Sequence, residues 1–214
     1  MKEAFLIILV FLISYSPGNG QFLINIETGL SFSKMGNRFT ETSTFSEPRF
    51  SSRTELLYRL KAHKFHLDLG LGYSLEGHSF KVLNYFEAER IKARLSIHNL
   101  NLSIVPSINL HLGSRESGPL GNISLLTGVF YGYIFSSKFK YHKDPVISDI
   151  QLKPLNTGLI LGIRTSCQAK SKLPTGFDLS LKYYWGLVNI QKGNVEWYTR
   201  SLMCSITLPL SKGK

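Results

Sequence analysis

The sequence is short of cysteine, of charge and of long apolar runs. Its 2 cysteines in 214 residues are too few for a disulfide-built scaffold. Only 18% of the residues are charged, and the acidic ones are scarcer still, 14 against 25 Lys and Arg. Yet 43% are hydrophobic, which excludes a disordered chain. A helical protein with several membrane spans needs several apolar runs of about 18 residues or more, and only the first dozen residues come close. No stretch shows a convincing helical period, and no repeat stands out. What remains has the length of one domain, a mean hydropathy of zero and a net charge of +11. Such a chain is either a basic soluble domain or a membrane protein whose apolar residues are hidden by alternation.

Residues 1–20 read as a secretory signal peptide. Lys2 opens it, Ala4 to Ile13 form its apolar core, and Gly18-Asn19-Gly20 offers small residues for cleavage before Gln21. No Cys follows to carry a lipid. Residues 21–214 then form the mature domain.

From Phe22 onward the pattern has period two, the signature of half-apolar strands. Phe22, Ile24, Ile26, Leu30 and Phe32 alternate with Leu23, Asn25, Glu27, Gly29 and Ser31. Phe65, Leu67, Leu69, Leu71, Tyr73 and Leu75 alternate with His66, Asp68, Gly70, Gly72, Ser74 and Glu76. The region 91–112 carries Ala93, Leu95 and Ile97 on one face, then Leu100, Leu102, Ile104 and Ile108 on the other. A slip of one residue near Asn99 predicts a bulge, with a tight turn as the competing reading. Segments 55–61, 123–136, 155–167, 177–190 and 197–210 complete eight predicted strands.

A soluble sandwich or lipocalin-like barrel also alternates. Here the apolar strips are long, rich in Leu and Phe, and bounded by Tyr, Trp or Phe, while the opposite positions hold Gly, Ser, Asn and isolated charges. A lipid-facing band, aromatic girdles and a polar interior require that arrangement, and closure removes sheet edges that lipid cannot solvate. The predicted fold is all-β: an eight-stranded antiparallel transmembrane β-barrel of up-and-down topology. With a periplasmic N-terminus, residues 35–52, 77–89, 137–153 and 191–196 become extracellular loops. The connections near Lys64, at 113–121 and at 169–176 become periplasmic turns.

Several stretches resemble a known family. Thr28-Gly29-Leu30-Ser31-Phe32-Ser33, Asn101-Leu102-Ser103-Ile104-Val105-Pro106-Ser107-Ile108, Gly128-Val129-Phe130-Tyr131-Gly132-Tyr133, Thr157-Gly158-Leu159-Ile160-Leu161-Gly162 and Leu181 to Ile190 are similar, in this order, to strands of the PorT-like outer-membrane β-barrel proteins. The resemblance implies an outer-membrane barrel of a diderm bacterium, no catalytic activity, and an envelope or secretion complex as a partner class. The chain departs from many such barrels by ending Leu208-Pro209-Leu210-Ser211-Lys212-Gly213-Lys214, basic rather than aromatic.

The chemistry of the polar face points to structure before catalysis. Glu27, Glu55, Asp68 and Asp178 are expected to share the interior with Arg59, Arg94, Arg164 and Lys182. Eight strands enclose only enough room for side chains, so these charges should form a structural ion-pair network. Lys138, Phe139, Lys140, Tyr141 and Lys143 predict a basic-aromatic extracellular rim, with Arg38, Arg49 and Arg53 in or beside the first loop. Anionic outer-membrane lipid and lipopolysaccharide are the expected partners of such a rim, nucleic acid is not, and a monomer is expected. The competing class is a lipid- or lipopolysaccharide-modifying barrel enzyme using loop residues His78, Ser79, His142 and Asp144. His63, His66, His98 and His111 have no ligand spacing, so no metal or cofactor is expected. Cys167 and Cys204 fall on lipid-facing positions with one strand between them, too far apart to bridge.

Overall fold

A computed structural model describes residues 20–37, 43–62, 64–84, 89–110, 123–141, 152–167, 176–192 and 195–210. The expected signal segment before Gly20 lies outside them. The strands are β1 (Gly20–Asn37), β2 (Ser43–Phe45), β3 (Glu47–Ala62), β4 (Phe65–Asn84), β5 (Glu89–Leu110), β6 (Ile123–Tyr141), β7 (Leu155–Cys167), β8 (Phe177–Gly186) and β9 (Val195–Pro209). Each pairs antiparallel with its neighbours, and β1 pairs with both β3 and β9, from Leu23↔Pro209 to Asn37↔Val195. The sheet is therefore a closed barrel of eight wall strands. β2 is the outward continuation of β3: the partners step from Ser31↔Arg49 to Lys34↔Phe45, a shift of one residue. Ser46 sits at the step, its Oγ accepting from the Ser33 amide at 2.7 Å. The Leu210 amide donates to the Phe22 carbonyl at 3.0 Å and extends the seam beyond Pro209.

Alternation becomes an inside-out solvent preference. Ile26, Leu30, Leu71, Leu100, Ile104, Val129, Leu161, Leu202 and Ile206 point outward and are exposed, while Asn25, Glu27, Glu55, Asn101 and Ser205 are buried inside. Phe22 and Phe65 edge the apolar band below, and Tyr73, Tyr133, Phe135 and Trp185 edge it above. The nine residues from Phe65 to Tyr73 on β4, at about 3.3 Å for each step between them, cover about 26 Å of strand, or about 20 Å of height at a tilt near 40°. That approaches the ~25 Å apolar band of an outer-membrane barrel.

The strands continue well beyond the upper belt. β4 has 20 residues and β5 has 22, where crossing the bilayer takes about 10. Consequently residues 47–52, 77–84 and 137–141, expected in extracellular loops, are strand. Residues 38–42, 85–88, 142–151 and 193–194 of those loops, and the turns at 113–121 and 169–175, lie outside the described residues. The turn near Lys64 is present, its carbonyl accepting from the Asn109 amide at 2.9 Å.

This extension explains the slip at Asn99. β5 keeps one unbroken register with β4 from Phe65↔Ile108 to Asn84↔Glu89. Its odd-numbered residues from Ala93 to Ser107 all face inward. What inverts is the polarity: Ala93, Leu95 and Ile97 are buried inside above Asn99, and Leu100, Ile104 and Ile108 face lipid below it. Outside means hydrocarbon below the belt and water above it, so the apolar residues change sides. The register shift that does occur here belongs to β6, where Phe135 is the extra residue between Asn99↔Ile134 and His98↔Ser136. Below it Leu126, Phe130 and Ile134 point inward; above it Phe139 does, with Lys138 and Lys140 exposed.

Candidate functional site

The interior is stacked in three levels. The lowest is a quartet drawn from four strands. Arg59 on β3 donates through Nε to Asp68 Oδ1 at 2.6 Å and through Nη2 to Oδ2 at 3.0 Å. Its Nη1 reaches Asp178 on β8 at 2.5 Å. Arg164 on β7 donates to Asp68 Oδ2 and to Ser107 Oγ, both at 2.6 Å. Ser166 Oγ donates to Asp178 Oδ1 at 2.8 Å. Two cations and two anions thus tie β3 and β4 to β7 and β8 across the barrel, with the hydrogen bonding that buried ions demand.

The middle level centres on Glu27. Its carboxylate accepts from Lys182 Nζ and Asn25 Nδ2, both at 2.6 Å, and from the Tyr184 hydroxyl at 2.7 Å. Asn25 also donates to Glu55 at 3.1 Å, and Ser103 Oγ donates to Glu55 at 3.2 Å. Arg53 lies 3.8 Å from both Glu55 and Glu76, and its guanidinium stacks 4.0 Å over the Tyr184 ring. Val105, Leu126, Phe130, Ile160, Tyr184 and Met203 form an apolar cluster at this level. This cluster, drawn from β5–β9, packs beside the polar groups of the same level.

The top level holds an apolar cluster. Ala93, Leu95, Ile97, Ile134, Phe139, Ile190 and Trp197 pack together inside the extended strands, with Leu152 against them. Ile190 follows β8 and is held there by backbone bonds to Lys153 at 2.7 Å and Trp197 at 2.9 Å. Asn189 Oδ1 accepts from the Trp197 amide at 2.9 Å and the Gln191 amide at 3.0 Å.

Seven of the eight charges expected in the lumen are inside: Glu27, Glu55, Arg59, Asp68, Arg164, Asp178 and Lys182. Arg94 is not. It stands above the belt, where β5 turns its polar side to water, and is exposed. Arg53, expected at the first loop, is instead 2% exposed in the middle of the lumen, and Glu76 joins it. Both were legible by phase, Arg53 with Glu55 and Arg59, and Glu76 with Asp68. Among the described residues the lumen so holds five carboxylates, Glu27, Glu55, Asp68, Glu76 and Asp178, against four cations, Arg53, Arg59, Arg164 and Lys182. None of the +11 excess comes from these interior groups.

A model of the outer membrane protein β-barrel domain matches residues 11–192. The chain belongs to this family. None of the curated proteins matches it. Among solved structures, this family member is similar to the Neisserial surface protein A, NspA, with 14% identity over 87% of this chain and 96% of that one, TM-score 0.40. It is also similar to Ail of Yersinia pestis (13%, 87% and 99%, TM-score 0.37) and to OprG of Pseudomonas aeruginosa (10%, 91% and 99%, TM-score 0.36).

Other expected groups in this outer-membrane barrel fall as follows. Lys138 and Lys140 are exposed on the rim, but Phe139 is buried in the top cluster. Tyr141 ends β6, and Lys143, His142 and Asp144 lie outside the described residues. His78 and Ser79 are not loop residues: both are buried within β4. His78 stands above the belt, and burial, with Arg49 nearby, pushes its imidazole down to about 3. Cys167 and Cys204 are free and separated by β8. No cluster of metal-ligating side chains occurs among the described residues.

Proposed function

We propose that this is a sealed, non-catalytic outer-membrane barrel whose working surface is its exterior, in a structural or binding role within the envelope. What carries the reading is the filling of the lumen. The ion-pair quartet crosses the lower lumen, and an apolar cluster packs at the top. A water-filled path would have to cross both. The unbalanced positive charge lies outside the lumen, where Lys34, Arg94, Lys138, Lys140 and Arg200 face away from the interior above the apolar band. Outer-membrane lipid and lipopolysaccharide are the partners suited to that charge, and nucleic acid is not among them. The motif resemblance to PorT-like proteins supports a place in an envelope or secretion complex, and the signal-like residues 1–20 support export before insertion. The barrel works as a monomer.

Planar-bilayer recording of the purified full chain tests the seal: no stepwise conductance is expected, and regular ion steps from the wild type would overturn it. Deleting the gene should leave lipid A and phospholipid acylation unchanged. An altered acylation profile would instead support the enzyme reading.

A further inference from the structure

The outer face of β4–β6 carries a graded sequence of side chains that matches an anionic glycolipid. Ladder rows run across the three strands. The first joins Tyr73, Leu100 and Tyr133, and the next joins Leu75, His98 and Ser136. Above them come Ser96 and Lys138, then Arg94 and Lys140, with the buried Gly77 and Ser79 of β4 completing the two rows. Rising from the bilayer, the surface passes from aromatic to imidazole and hydroxyl to cationic within about 20 Å of strand.

Two features suggest a built site rather than scattered charge. The Tyr73 hydroxyl is hydrogen-bonded to His98 Nδ1 at 2.7 Å, and the bulge places Phe135 beside them, its ring 6.1 Å from His98 and 6.3 Å from Tyr73. The three rings form a ledge at the polar edge of the belt. Above it, Arg94 stands directly opposite Lys140, an arrangement that destabilises a ladder unless an anion intervenes. Glu47 is in the same row but two strands from Arg94, about 10 Å by strand spacing. Among the described residues no ion pair joins Arg94, Lys138 or Lys140 to a carboxylate. The cations of the lumen, by contrast, all have carboxylate neighbours.

We infer that this face is a binding site for a phosphorylated, acylated saccharide of the outer leaflet, a glycolipid of the lipid A class. Its acyl chains lie along Leu100, Tyr133 and the strands below, its sugar rests on the Tyr73–His98–Phe135 ledge, and a phosphate is held between Arg94, Lys138 and Lys140. This deepens the reading that outer-leaflet lipid is the partner of the barrel and rests on it.

The test titrates the refolded full chain in phosphatidylcholine nanodiscs with lipid A and counts bound lipid by native mass spectrometry. Arg94→Ala/Lys138→Ala/Lys140→Ala should weaken retention roughly 10- to 100-fold, as expected for removing three cations from an anionic lipid contact. His98→Ala should weaken it several-fold. Arg94→Lys/Lys138→Arg/Lys140→Arg should restore retention, and Lys34→Ala/Arg200→Ala, on the β1–β9 side, should leave it unchanged. Heat-modifiable gel migration checks that each variant is folded. Dephosphorylated lipid A should bind wild type no better than intact lipid A binds the triple alanine variant, and millimolar inorganic phosphate should not displace the intact lipid. Equal losses from the two alanine variants, or displacement by phosphate, would overturn the site in favour of general rim charge or a free-anion site. Undiminished retention by the triple variant refutes this site alone, whereas no retention by wild type refutes the lipid-partner reading beneath it.

Discussion

Asp68→Asn is the most informative single change in the lumen. The carboxylate accepts three charge-assisted hydrogen bonds, two from Arg59 and one from Arg164, at 2.6, 3.0 and 2.6 Å. At about 1.5–3 kcal/mol each, their simple sum would be about 4.5–9 kcal/mol. Asparagine keeps one acceptor oxygen, however, and Arg59 keeps Asp178 at 2.5 Å. The remaining cost is that of a buried guanidinium without its counter-charge, about 3–5 kcal/mol. Urea unfolding and refolding in phosphatidylcholine vesicles, followed by Trp185 and Trp197 fluorescence, should register this as a lower midpoint at unchanged slope. Adding Arg164→Gln returns the quartet to neutrality, one cation against one anion, so the double variant should be more stable than Asp68→Asn alone. A double-mutant cycle should then give a coupling above about 1 kcal/mol. If Asp68→Asn costs less than about 1 kcal/mol, or the two changes add without coupling, the quartet is not what braces the lower lumen.

Trp197→Ala should cost about 3–5 kcal/mol, the usual range for emptying a buried Trp site. Hydrogen exchange should quicken mainly in β5 and β6 above Asn99, while the β1–β9 seam near Leu23 stays protected. Gly158→Ala should lower the unfolding midpoint by about 1–3 kcal/mol or more, because its Cβ would lie 2.6 Å from Phe130 Cε1 and closer still to the Trp185 carbonyl. His78 gives a pH signature. Its folded value of about 3 lies below the ordinary 6.5, so the neutral ring's contribution is complete above pH 6.5 and is lost as pH falls toward 3. Its share of the slope approaches about 1.4 kcal/mol per pH unit. Unfolding midpoints measured between pH 7.5 and 4.5 should fall more steeply for wild type than for His78→Gln, and equal slopes would count against a neutral buried ring.

The strands were readable because alternation is a local property: a residue's face depends only on its parity within a strand. Leu155–Cys167 was predicted and observed with the same ends, and Glu27, Glu55, Arg59 and Asp68 fall inside by parity alone. Parity says that two faces differ, but not which one meets lipid. Arg94 and Phe139 depart from their expected sides for this reason. Above the belt the exterior solvent is water, so the apolar face of β5 must turn inward, and no local pattern marks the height at which that happens. Arg53 differs for another reason: it adjoins the first predicted loop in sequence, while its parity matches that of Glu55.

The sequence by itself determined an all-β chain, its strand phases and the segregation of its charges, since each follows from neighbours along one strand. Tertiary structure alone decided that Asp68 meets Arg164 and Asp178 meets Arg59, because closure of the barrel brings opposite walls within side-chain reach. It also decided that Leu95, Ile97, Phe139, Ile190 and Trp197 pack together at the top of the lumen, since that requires knowing where the strands leave the bilayer. The same height placed Arg94, Lys138 and Lys140 on the outside, one row after another above Tyr73 and His98.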